Sequence, residues 1–569
     1  MFGNYNITNF NNFSSFINQN GIAIFQLASG NSNIARNNII EGNYLGTDAT
    51  GSLDRGNQST GVIVFDANDN TIGGTTPAAR NVLSGNGNNN TTNPRKVGVG
   101  LAIIDGVNTT VHGNHIGTNA AGDGKVNNSS GVFLAGAETD FGGDAAGAGN
   151  LVSGNGDPFP SEFNPDGCQG TGISEETLFD AGFDTLLTHD NLYRGNRIGT
   201  NAAGSAAVAN CSTGLVVHPG HTAVVGSITE GGRNTISGND ENALYCTYSL
   251  RGFSLQAPLG GAGELPLGFC YIVGNNIGTD VTGTSAIPNR DVNNPNSFIL
   301  FFGSLVVYHF PTLSNVGGPG GTTADACTGF CNLVSGNSNE GIGRFNDLGE
   351  VGIFNNYVGT NRTGTAAIGN SLGIIVDNST LIGGFASDGT NLFSLGNLIS
   401  GNTGPGLVLG TNDNTATLNR VGTDGSGTTA LPNGGGGMQG DVGDNNLLRD
   451  NVVAFNLSVG VRVGPDPSTL GALVSRNSIH SNSLAGIDLS PGANSNQTVP
   501  VITSAAIATG MLTVSGSLNS VASSNFNIEV FSNLACDTAG PGGSGEGRSY
   551  LGVTTMTTSG AGSGTFGPL

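Results

Sequence analysis

The chain has 569 residues, a net charge of -22 at neutral pH and only 10% charged residues. A surface this acidic repels nucleic-acid phosphates, and no run approaches the roughly 18 apolar residues that cross a bilayer. Hydrophobic residues at 36%, with 97 glycines and no tryptophan, exclude a disordered chain and suit short strands joined by tight turns.

Residues 1–20 (MFGNYNITNFNNF and onward) read as a lead-in or cap. They lack the basic and apolar regions of a signal peptide, so the chain reads as a piece of a longer secreted product or as one whose start was called late. From residue 21 to about 493 one phrase recurs. It is GNYLGTDATG from Gly42, GNHIGTNAAG from Gly113, GNRIGTNAAG from Gly195, GNNIGTDVTG from Gly274, NNYVGTNRTG from Asn355 and NRVGTDGSG from Asn419. A second phrase follows the first five: NTIGG, TDFGG, AVVGS, SNVGG and TLIGG. A third comes after it: NVLSGN, NLVSGN, NTISGN, NLVSGN and NLISGN.

Self-similarity at a period of about 60 to 80 residues decides the fold before any other reading. Three short phrases, each alternating with the strand period and ending in Asn and Gly, predict a β-solenoid. Leu45, Ile116, Ile198, Ile277, Val358 and Val421 share one position. A lone coil cannot bury such a residue, but stacked coils turn it into a continuous core. At about 22 to 27 residues per coil the array makes roughly 20 coils, a rod on the order of 95 Å at about 4.8 Å per strand.

The residue before that position points outward on this pattern: Tyr44, His115, Arg197, Asn276, Tyr357 and Arg420. Of this solvent-facing row, Tyr44, His115, Arg197 and Tyr357 are candidate glycan contacts. The Asn before them (Asn43, Asn114, Asn196, Asn275, Asn356, Asn419) never changes. Asn tolerates a left-handed turn and its amide reaches the copies above and below, so its role is structural.

Chemistry on a solenoid is added by loops that interrupt the coils. The units between successive Gly-Thr steps run 71, 82, 79, 81 and 63 residues, and the long ones place insertions at residues 157–191, 240–271 and 288–310. A short Gly-rich insertion follows at residues 319–331. Fifteen of the 36 Phe and Tyr residues lie between Phe159 and Phe310, as a sugar-stacking wall or as satellite cores beneath the loops. The acid–base candidates fall in ETLFDAGFDTLLTHDNLYR, which gathers Asp180, Asp184, His189, Asp190, Tyr193 and Arg194. The plainer reading is that Tyr193 and Arg194 merely begin the next coil. His112 and His115 stand three apart on a regular coil near Asp105, and His218 and His221 flank a turn. Oxygen ligands in DANDN, with Asp66 and Asp69, are a candidate Ca²⁺ site.

Seven cysteines include no CxxC pair. Cys246 and Cys270 bracket one insertion, and Cys327 and Cys331 lie four apart in a Gly-rich turn. They read as disulfide staples of surface loops or as free buried thiols; zinc is disfavoured because no His accompanies them at ligand spacing. Residues 494–569 leave the helix grammar. LTVSG, FNIEVFS and SYLGVTTMTT are longer alternating strands, and predict a small, truncated Ig-like sandwich.

The phrases GNYLGTDATGSLDRGNQSTGV and NTIGGTTPAARNVLSGN, with AGIDLSPGANSNQTVPVITSA further on, resemble the bacterial extracellular parallel β-helix repeat proteins of the pectin-lyase-like class. That resemblance implies an all-β, right-handed parallel β-helix and an extracellular or cell-surface setting. GFD followed by THD is similar to the Asp and His signature of alginate epimerases, at a different spacing. The Asn-Thr-Asp, Asp-Asp, Gly-His-Gly and Arg-Ile-Lys motifs of polygalacturonases are not in the sequence. The fold hosts enzymes, adhesins and stalks alike. The function expected is structural or adhesive, with glycan contact through the middle loops and self-association or filament formation as a further partner class. The alternative is a lyase or C5-epimerase acting on uronate polymers.

Overall fold

The computed structural model describes residues 19–568 apart from 26–34, 88–97, 159–167, 177–189, 218–221, 247–268, 291–302, 308–313, 320–321, 324–325, 346–350, 388–391, 441–442, 465–470 and 536–545. Three long sheets run side by side along one axis. The first has fourteen strands, from Ile22–Phe25 to Ile487–Leu489. The second and third have thirteen each, from Ile39–Ile40 to Leu473–Ser475 and from Tyr44–Leu45 to Ser478–His480. The chain visits first, second and third sheet in turn, and the neighbours within each sheet pair parallel. This is a right-handed parallel β-helix, the hand favoured by crossovers between parallel strands.

The coils are fewer and longer than the phrase period implies. Thirteen coil steps separate Ile22 from Ile487, or about 36 residues per coil, giving a rod of about 60 Å at 4.8 Å per step. One repeat spans two coils rather than three. The register shows why: Leu45 stacks on Leu83, Leu83 on Ile116, Ile116 on Val152 and Val152 on Ile198. The first and third phrases therefore share the third sheet on alternate coils, and only the second phrase lies in the second sheet. Strands of the first sheet carry a quieter signal, a Gly followed by alternating aliphatics, as in Gly61-Val62-Ile63-Val64 and Gly373-Ile374-Ile375-Val376.

The inward rows of all three sheets make one core, including Val62, Ile72, Leu83, Leu101, Ile116 and Phe141. Burying each such side chain contributes roughly 1.5–3 kcal/mol relative to leaving it exposed.

Two asparagine ladders close the corners. The first runs through Asn43, Asn81, Asn114, Asn150, Asn196, Asn234, Asn275, Asn332, Asn356, Asn397, Asn419, Asn451 and Asn477. At each step one Nδ2 hydrogen goes to the next Oδ1, and from Asn81 on the other goes to a core residue's carbonyl in the second sheet, as from Asn196 to Phe141. The second ladder runs from Asn57 and Asn86 through Asn128 to Asn456 and Asn482, serving carbonyls of the third sheet in the same way. A primary amide that both gives and accepts is what a repeating corner needs, since its backbone carbonyls have no strand partner. The left-handed backbone lies one residue before the first ladder, at Gly42, Gly113, Gly195, Gly274, Asn355 and Leu418.

Gly117 follows core residue Ile116 with φ near +90°, and the Asn155 amide lies where its Cβ would be. Gly117→Ala is expected to cost about 2 kcal/mol or more, read as a lowered thermal midpoint.

Cys246 and Cys270 are disulfide-bonded, and both are buried in the core, one on the first sheet and one on the second. The bond closes the base of segment 247–268 from inside the helix rather than stapling a surface loop. Cys327 and Cys331 form a second disulfide, and Cys211 is also disulfide-bonded. Beyond the coils, Val501–Ala508, Met511–Asn519 and Ser563–Phe566 form an antiparallel sheet, and Asn525–Ser532 pairs with Ser549–Thr557. A separate small core of Val514, Leu518, Ile528, Val530, Met556 and Phe566 lies among these strands.

Candidate functional site

Where the loops leave the helix was not legible in the sequence, and the topology decides it. The segments joining the first sheet to the second include 176–190 and 247–268, so parts of two sequence-defined insertions leave from one corner on nearby coils, whereas residues 278–302 join the third sheet to the first. Each sequence-defined insertion also contains a strand of the first sheet: Ile173–Glu175, Leu244–Cys246 and Gly303–Val307. The 157–191 insertion is thus two excursions around a core strand.

On the outer face of the second sheet, three adjacent coils bring charged side chains together. His112 ends the strand Thr110–His112, Asp140 begins Asp140–Gly142, and Arg194 ends Asn191–Arg194. Arg194 donates to Asp140 at 2.7 Å and to Asp144 at 3.3 Å. His112 Nε2 lies 3.6 Å from Asp140, an electrostatic contact longer than a hydrogen bond. Burial pushes the Asp140 carboxyl up, but the close approach of His112 and the hydrogen bond and charge of Arg194 outweigh it and hold the group below the usual carboxylate range. The four side chains are between a fifth and two-fifths exposed. The sequence singled out His112 and Arg194 but missed Asp140 and Asp144, which fall in a regular phrase and its turn.

Other candidates separate. Tyr193 is fully buried on the inward face, and its phenol donates to the buried carboxylate of Glu175. No polymer reaches it there, so it is a core residue. Burial raises Glu175 to about 7, although hydrogen bonds from Tyr193 and Asn191 pull the other way. Asp190 is exposed, with a left-handed backbone at the start of the strand. Asp180, Asp184, His189, His218 and His221 lie outside the described residues.

The row that the alternation places in solvent is largely covered. His115 and Tyr357 are 4% and 5% exposed, and Asn276 is buried. The cause is the rest of the same phrase. After each Gly-Thr step the chain makes a small hairpin, bridged at Thr47 and Asp54, Thr118 and Lys125, or Thr360 and Ala367. It folds back over the third sheet, so that Gly122 abuts His115 and Gly364 abuts Tyr357. Successive hairpins bond to each other, from Ala120 N to Gly51 O, Ala202 N to Gly122 O and Val281 N to Gly204 O. Burial, with Arg80 and Arg197 nearby, holds His115 down at about 4. Tyr44 stays 44% exposed and Arg197 is partly covered, the desolvated guanidinium falling below its usual range.

The Asp and Asn residues of these hairpins are turn caps. Asp48 Oδ1 accepts from the backbone of Ser52 and Leu53, which hold its carboxyl low, and Asp280 accepts from Thr284 and Ser285. Asp66 and Asp69 occupy left-handed positions in a corner turn, and Asp69 accepts from Asn108. Among the described residues no three His, Cys, Asp or Glu side chains gather to hold a metal.

The fold thus defines a parallel β-helix protein with corner loops and an ionic cluster on the outer face of its second sheet. No protein-family model matches the chain, and no curated protein matches it. Among solved structures it is similar to a double mutant of the periplasmic alginate epimerase AlgG, at 12% identity and a TM-score of 0.30, over 78% of this chain and 67% of that one. A single mutant of the same epimerase is similar over 79% of each chain, at 10% identity and a TM-score of 0.26. The fold assignment rests on the strand pairings above.

Proposed function

We propose that this chain is an extracellular or cell-surface β-solenoid with a structural or adhesive task, contacting glycans through the loops at its first-to-second-sheet corner. The observation that supports this most is the continuity of both asparagine ladders through the coils that carry the excursions. The rod stays regular beneath its longest loops, as a display scaffold requires. Disulfides in the core and at a turn agree with an oxidising compartment. Residues 494–569 fit a spacer module of Ig-like type.

A second reading, a lyase or C5-epimerase on uronate polymers, draws on the meeting of His112, Asp140 and Arg194. A guanidinium can neutralise a uronate carboxylate and an imidazole can take a proton from C5. Arg194, however, already serves two carboxylates, so a substrate must first displace one of them.

The deciding experiment incubates the chain with alginate, pectate, glycosaminoglycans and neutral glucans, with and without Ca²⁺. Binding of a uronate polymer without reaction is expected, weakened about tenfold by Arg194→Ala while neutral glycans are unaffected. Ultraviolet absorbance from a C4–C5 double bond, or proton exchange at C5, lost in His112→Ala would establish the second reading instead. Silence in binding and reaction alike would leave a passive stalk.

A further inference from the structure

The second asparagine ladder is polar: at each rung Nδ2 gives to the Oδ1 of the next, and at several the backbone N does too, as from Asn433 to Asn456 and from Asn456 to Asn482. At Asn482 the donors meet something else. The carboxylate of Glu546, from beyond the coils, accepts from Asn482 N at 3.1 Å and from Asn482 Nδ2 at 2.9 Å. Glu546 is 6% exposed, so it is seated in the corner and not resting on a surface.

Its neighbours dock with it. Ile479 N donates to Gly547 O at 2.8 Å, forming an antiparallel bridge on the last strand of the third sheet. Ser478 Oγ donates to Arg548 O. One strand over, Glu529 accepts from Ser475 Oγ at 2.6 Å and from Arg476 N at 2.8 Å, and the Arg476 guanidinium lies 5.7 Å over the Tyr550 ring. The contacts fall within one short stretch of the final coil, from Ser475 to Asn482.

An asparagine rung accepts from one side and gives to the other, so a ladder of asparagines can always be lengthened. A carboxylate only accepts, and after it no donor remains to pass on. The open end of a parallel sheet is also a template for further strands. A second copy arriving head to tail matches the polarity of ladder and sheets, which no arbitrary strand does. We propose that Glu546, with Glu529 and the Gly547–Arg548 backbone, is the terminal cap of the rod, and that it excludes a second copy of this chain from adding to the open coil.

Two full-length variants and two readouts test this. In Glu546→Ala, amide hydrogen exchange at Ile479 and Asn482 is expected to speed up about tenfold or more, since a charge-assisted acceptor is lost. In Glu546→Gln the side-chain carbonyl still accepts, and protection should stay within about threefold of the parent. Equal protection in the parent and the Ala variant, or equal loss in both variants, would overturn the cap. Light scattering over a concentration series then addresses the excluded partner. The Glu529→Ala, Glu546→Ala double variant should gain mass by end-to-end association while the parent does not; a double variant of unchanged mass would overturn the exclusion of a second copy.

Discussion

Asn196→Ala is expected to destabilise the chain by about 3–6 kcal/mol, seen as a lower urea midpoint. Asn196 is fully buried in the middle of the first ladder. Its Nδ2 gives to Phe141 O at 2.9 Å and Asn234 Oδ1 at 3.1 Å, and its Oδ1 accepts from Asn150 N and Nδ2 at 3.0 and 3.1 Å. Truncation leaves several buried groups unpaired, at roughly 1–3 kcal/mol each. Asn196→Asp should be worse, because a buried carboxylate would face the Phe141 carbonyl and Asn234 Oδ1 with no hydrogen to offer. Coils contact only their neighbours, so the loss should appear first as faster hydrogen exchange in strands Leu151–Val152, Arg197–Ile198 and Thr235–Ile236. A midpoint unchanged in Asn196→Ala would refute the ladder as a stabilising element.

Glu175→Gln is expected to do the opposite and stabilise the chain, by about 3 kcal/mol at pH 8. Burial raises the folded-state value of Glu175 from 4.5 to about 7. A raised carboxyl favours the neutral form in the fold, so the unfolded chain ionises first as pH rises. Stability attributable to this group is intact below about pH 4.5, falls between there and about 7, and stays reduced above that. Glutamine keeps the shape and an acceptor for Tyr193 while removing the titration. Urea midpoints at pH 4.5 and pH 8 should therefore differ less in the variant than in the parent, and identical pH slopes in the two would dismiss the argument. Glu175 precedes segment 176–190 and Tyr193 follows it, so the pair also ties together the strands that flank that excursion. Tyr193→Phe should lower stability, because it strips the carboxyl of a donor.

The identity of the core was readable residue by residue. Leu45, Ile116, Ile198, Ile277, Val358 and Val421 form one row because each must be a branched aliphatic where coils stack. The invariant asparagines were readable as structural for the same reason, since only a primary amide satisfies the corner carbonyls on both sides. Coil length was not readable. The phrases of the third sheet repeat on every coil, while strands of the first sheet differ only by a Gly before alternating aliphatics, so a two-coil repeat looks like three short coils. Nor was exposure readable: alternation sends His115 and Tyr357 away from the core, and the hairpin of the same phrase then covers them.

By itself the sequence determined that this chain is an all-β array, which positions stack, and that its corners are held by amides, because each of these follows from a period-two pattern repeated at fixed spacing. The tertiary structure alone decided that His112, Asp140 and Arg194 meet, that Tyr193 turns inward to Glu175, and that Glu546 ends the ladder 64 residues after Asn482. Those contacts join residues whose separations follow no period. They depend on which corner an excursion leaves from and how many residues it takes to return, quantities that no local pattern encodes.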